Sequence, residues 1–74
     1  MTKNELLEKI AVELPGTKDS LHIESVHYWK SKNSAQINFL SDVLIGQEGF
    51  LTMKRVIAEA FPSLCFSIRV ASPA

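Results

Sequence analysis

One thiol and two imidazoles are the residues of this chain best suited to covalent chemistry. Cys65 held within hydrogen-bond reach of His22 or His27 would make an activated nucleophile for acyl transfer. A plainer reading outweighs it: a lone strand cysteine usually serves as a small packing residue, and neither histidine has an evident carboxylate to orient it. The same three residues fall short of the four-ligand set that zinc prefers, and a single cysteine excludes an internal disulfide. Among the carboxylates, Glu5, Glu8, Glu13 and Glu59 occupy helix positions that face water, while Glu24 and Asp42 stand apart in sequence. No acid/base pair is supported, so no catalytic residue, metal site or cofactor is expected.

Two other constellations suit binding. Gly46-Gln47-Glu48-Gly49 has the GxxG spacing that, ahead of a helix, lets backbone N–H groups approach phosphate, as in the clamp of KH domains. Glu48 puts a negative charge inside that turn, and the segment before Gly46 is too short for the helix that normally precedes the clamp. A plain helix-entry loop is the competing reading. The run His27-Tyr28-Trp29-Lys30-Ser31-Lys32 brings rings that can stack on bases beside ammonium groups that can meet phosphate. The same run equally suits a protein contact or a ring that simply covers the sheet. Lys54 and Arg55 read as the solvated face of a helix. The candidate partner or nucleic-acid surface is therefore Tyr28, Trp29, Lys30, Lys32, Gly46, Gly49, Lys54 and Arg55.

The elements that position these residues follow from caps and periodicity. Thr2 and Glu5 form a capping box, and Leu6, Leu7, Ile10, Ala11 and Leu14 then make one apolar stripe that Pro15-Gly16 ends. Leu21 to Trp29 reads as a strand whose alternation slips phase, which either a bulge near Glu24-Ser25 or an edge position with both faces partly covered reconciles. After the polar turn Lys30 to Ser34, Ala35, Ile37 and Phe39 alternate as a second, half-buried strand. Between Ser41 and Gly49 a helical turn is expected, capped by Ser41 or Asp42, with Val43, Leu44 and Ile45 tucked beneath it. A second helix runs from about Gln47 to Phe61, stopped by Pro62, and Leu64, Phe66, Ile68 and Val70 mark a third strand. Ala71-Ser72-Pro73-Ala74 reads as a frayed terminus or the start of a linker.

The order helix, strand, strand, helix, strand sets the first two strands antiparallel and the second and third parallel through a right-handed crossover. The expected fold is α+β: a two-layer αββαβ sandwich with a three-stranded mixed sheet, both helices on one face and the other face open. It resembles a truncated type II KH fold. Composition agrees with one small globular domain over residues 1–74: 46% hydrophobic, 22% charged, three glycines and three prolines. A chain this short buries only roughly 60% of its unfolded surface, so apolar packing alone must hold it. Eight basic residues balance eight acidic ones, which removes the global field that usually drives nonspecific binding to polyanions or anionic membranes. No apolar run spans a membrane and the N-terminus lacks a signal-peptide layout, so the expected location is cytoplasmic, with no membrane partner.

From the helix near Leu6-Leu7 onward, the chain resembles a family: the N-terminal domain of the PolC-type (Gram-positive) DNA polymerase III alpha subunit. The likeness rests on Leu21-His22-Ile23-Glu24-Ser25-Val26, the Lys32-Asn33-Ser34 turn, Gln36-Ile37-Asn38-Phe39, Val43-Leu44-Ile45, Ala60-Phe61-Pro62 and Cys65-Phe66-Ser67-Ile68-Arg69-Val70. It departs where that family often carries a tryptophan, here Ala35. The resemblance implies a non-catalytic module of a large replicative polymerase whose polymerase and 3'-5' exonuclease centres lie elsewhere. It is similar to the truncated KH-like domain by which the clamp-loader tau subunit contacts its polymerase. The implied partner is a replisome protein or another part of the same polymerase chain, met through the open sheet face or the hairpin; the alternative, read from the Gly46 to Gly49 turn and the Trp29 hairpin, is weak binding of single-stranded nucleic acid, DNA included.

Overall fold

The first helix begins as its capping box dictates. In the computed structural model, which describes residues 2–72, Thr2 Oγ1 accepts from the Glu5 N–H at 3.2 Å and Glu5 Oε1 accepts from the Thr2 N–H at 3.3 Å. Two otherwise orphaned donors are thereby satisfied. Helix α1 spans Lys3–Glu13 and buries Leu6 and Ile10. It stops at Leu14 because proline disfavours helical geometry in the residue before it, and a single 3-10 turn follows over Pro15–Thr17. Thr17 is buried there, its hydroxyl donating to the Leu14 carbonyl at 2.7 Å.

Strands β1 (Leu21–Trp29) and β2 (Ser34–Ser41) pair antiparallel, and β3 (Cys65–Ala71) pairs parallel to β2 on its other side. The sheet order is β1-β2-β3. The bulge falls where the phase slip requires it: Ile23 stands opposite Phe39 and Ser25 opposite Asn38, leaving Glu24 as the extra residue. That one residue brings Val26 and Tyr28 onto the face already occupied by Leu21 and Ile23. The hairpin between β1 and β2 closes through a 3-10 turn, Lys30–Lys32, and Asn33, whose φ of 44° is left-handed.

Helix α2 (Gln47–Ala60) carries the crossover from β2 to β3 and buries Met53, Val56 and Ile57. One core joins these to Leu6 and Ile10 of α1 and to Leu21, Ile37 and Phe39 of the sheet, so both helices lie on the same sheet face. The central strand shows the alternation most clearly: Ala35, Ile37, Phe39 and Ser41 are buried, and the residues between them are half-buried. The architecture is the αββαβ sandwich with a three-stranded mixed sheet.

Three local expectations are corrected. No separate helical turn forms between Ser41 and Gly46, where α2 begins. The buried Ser41 hydroxyl instead donates to the Val43 carbonyl at 2.6 Å and accepts from the Val43 N–H at 3.2 Å, holding the chain in a tight non-helical bend. Val43 and Leu44 consequently face outward, Leu44 at 90% exposure, and Ile45 alone of the three packs against the core. Helix α2 ends at Ala60, with Phe61 as its cap, again because a proline follows. Ala71 is strand, opposite Leu40; of the expected linker, Pro73 and Ala74 lie outside the described residues. No helix among the described residues is long and apolar enough to cross a membrane.

Candidate functional site

The aromatic and basic run at the hairpin does not form one platform. Tyr28 pairs with buried Ala35 and therefore points to the helix side, where its hydroxyl donates to Asn33 Oδ1 at 3.0 Å. Trp29, one residue on, points to the opposite face, with its ring 6.4 Å from that of His27. Both rings are about half exposed, Tyr28 at 55% and Trp29 at 48%. Lys30 and Lys32 sit exposed in the turn beside them.

Gly46 and Gly49 lie at the other end of the sheet. They follow Ser41, which is about 23 Å along β2 from the hairpin end at roughly 3.3 Å per residue. Gly46 is the N-cap of α2 with an ordinary φ of −78°, a Cβ there would meet nothing within 4 Å, and Gly49 is already helical. The GxxG segment is thus a helix start with Glu48 in its first turn, and it is not joined to the Trp29 hairpin in one binding surface.

Lys54 and Arg55 both lie on the exposed side of α2, as their spacing implied. Arg55 is committed: its guanidinium lies 2.8 Å from Glu59 Oε1 and 3.2 Å from Glu13 Oε2, bridging α2 to α1. The hydrogen bond to Glu59, and then the charge of Glu13, raise its pKa above the ordinary arginine value. The thiol and imidazoles are likewise dispersed. Cys65 is exposed and shares a row with Ser34 and Trp29, so two strand spacings, about 10 Å, separate it from the strand that carries both histidines. His22, at the far end, lies 3.8 Å from Asp42.

Two surfaces emerge, of which the order of elements had anticipated the open sheet face but not the groove. The first is a groove of about 610 Å³ on the helix side, where the start of α1 and the α2–β3 turn diverge over the sheet. Its floor is Ile23, Val26, Ala35 and Ile37, its walls are Leu6 and Phe61 to Leu64, and Lys3 is the one charged residue among those lining it. Val26 remains 42% exposed in it. The signal in the sequence was Ala35, a small residue at a core-facing position of the central strand.

The second surface is the open sheet face, and it is polar. The register aligns Trp29 with Ser34 and Cys65, His27 with Gln36 and Ser67, and Ser25 with Asn38 and Arg69. Gln36 Nε2 donates to Asn38 Oδ1 at 3.1 Å, and Asn38 Nδ2 donates to Ser25 Oγ at 2.9 Å, which holds the two amides in fixed orientation across the strands. The alternation of β2 and β3 had already assigned these positions outward, but not what they form together.

The fold and these surfaces define a small α+β sandwich with an apolar groove on one side and a polar sheet on the other. No protein family, curated protein or solved structure matches the chain.

Proposed function

We propose that this chain is a non-catalytic interaction domain of a cytoplasmic replicative DNA polymerase alpha subunit of the PolC type, and that it docks an apolar protein segment. The observation that carries the docking reading is the groove of about 610 Å³, which leaves Val26 and Tyr28 exposed beside the core. Concave, largely apolar sites of this volume with a few polar groups at the rim are where ligand side chains are usually seated. The polymerase assignment rests on the sequence resemblance alone. Ala35, where that family often carries a tryptophan, departs from its pattern, and the small side chain leaves the groove floor open in this chain.

The test combines a gene-level and a solution observation. The reading frame is expected to continue past Ala74 into exonuclease and polymerase modules. Titrating the isotope-labelled domain with the rest of that chain should shift the amide resonances of Val26, Tyr28, Ala35 and Leu64, and Ala35→Trp should abolish the shifts. A reading frame that encodes no polymerase would end the family assignment, and shifts confined to the open sheet face would end the docking assignment.

A further inference from the structure

We infer that the hairpin half of the open sheet face binds a short stretch of single-stranded DNA. This surface is opposite to the docking groove and stands on separate observations. Nucleic acid without secondary structure needs rings for its bases and unpaired cations for its phosphates, placed on one accessible surface. Here Trp29 and His27 lie side by side on the face, with Lys30 and Lys32 in the adjoining turn and Arg69 on β3. Arg69, Lys30 and Lys32 have no carboxylate partner among the described residues, whereas Arg55 on the helix side is held by two.

Charge is segregated despite a net charge of zero. Glu5, Glu8 and Glu13 ride on α1, Glu48 and Glu59 on α2, and at the far end of the sheet Asp19 precedes β1 and Asp42 sits beside His22. Glu24, exposed at the bulge beside the Ser25, Asn38 and Arg69 row, is the one acid within the three strands. The rows from Trp29 to Arg69 therefore present cations and amides to a phosphodiester. Along β2 those rows cover Ser34 to Asn38, about 13 Å, and they run two strand spacings across, enough for a few nucleotides. The Gln36 and Asn38 amides, fixed by their mutual hydrogen bond, offer their remaining donors and acceptors to base edges between the rings and Arg69.

The choice of DNA over RNA rests on the polymerase reading; the face itself is argued from rings and charges. Trp29 is the sole tryptophan of the chain, so its fluorescence reports this surface directly. Titration with a short oligothymidylate at low salt should quench it, with a slope of log affinity against log salt of about −2 for three phosphate contacts. Arg69→Gln, an exposed change, should lower affinity about fivefold and reduce the slope by about 0.7. Lys54→Gln on α2 should change neither. Absence of quenching at low salt would overturn the inference, as would equal losses for the two variants, which would mean diffuse attraction. Binding of an oligouridylate but not the DNA would overturn the choice of nucleic acid while leaving the groove assignment untouched. Protein docking in the groove with no oligonucleotide response would sink this inference alone.

Discussion

The side-chain amide of Asn33 donates to the Ser63 carbonyl at 2.8 Å, joining the β1–β2 hairpin to the α2–β3 turn across a separation of 30 residues. The same residue accepts from the Tyr28 hydroxyl, and its backbone carbonyl accepts from the Cys65 N–H at 3.1 Å. Its φ of 44° lies in the left-handed region, which asparagine tolerates better than most residues. One residue thus sets the hairpin bend, starts the β2–β3 ladder and closes one end of the groove.

Asn33→Ala should accordingly destabilise the fold by about 2 kcal/mol, combining a left-handed backbone penalty with lost hydrogen bonds. Asn33→Gly removes the same side-chain bonds but not the conformational freedom, so its loss should be about half as large. Urea denaturation of both variants separates the two contributions. Equal losses would mean that the backbone angle contributes nothing.

Helix α2 begins without a side-chain cap, since Gly46 stands at the N-cap position in extended geometry with open space around it. Gly46→Ser should therefore raise stability by a few tenths of a kcal/mol by supplying a hydroxyl acceptor to the first turn. A shift of the denaturation midpoint to higher urea checks this. A large loss would show that the glycine is needed for something other than entering the helix.

Leu44 and Phe39 are both apolar, yet opposite outcomes are expected for them. Phe39 is 1% exposed in the middle of the core, so Phe39→Ala should cost about 3–5 kcal/mol, enough to unfold a domain this small under mild conditions. Leu44→Ser should stay within about 0.5 kcal/mol of the parent, because its side chain is already in water. Circular dichroism melts distinguish the two, and a substantial loss for Leu44→Ser would restore the covered turn that the bend at Ser41 replaces.

Arg55 bridges Glu13 and Glu59 in open solvent, where ion pairs are screened and side-chain ordering offsets much of the attraction. Arg55→Gln is expected to lower the melting temperature slightly at low salt and not measurably at high salt. Its raised pKa lies above the range in which proteins are handled, so stability between pH 6 and pH 9, roughly, should show no step attributable to this residue. A salt-independent loss in thermal scans would mean that the bridge packs the helices together.

Sequence alone determined the elements and their order. The Thr2–Glu5 box, the slip in phase at Glu24, the small-large alternation from Ala35 to Phe39 and the two prolines that end the helices each act within a few residues, so local chemistry suffices to read them. Tertiary structure alone decided what the candidate residues do together. Tyr28 and Trp29 are neighbours in the chain but face opposite sides of the sheet, and Gly46 belongs to the end remote from both. The bend after β2 escaped local reading because the Ser41 hydroxyl can cap a helix or fold back on Val43, and burial of Ser41 selects the second. The groove depends on where two helices diverge over a sheet, and the polar face on the register of three strands. Both are relations between distant segments, set by how the core packs and not by the preferences of any one segment.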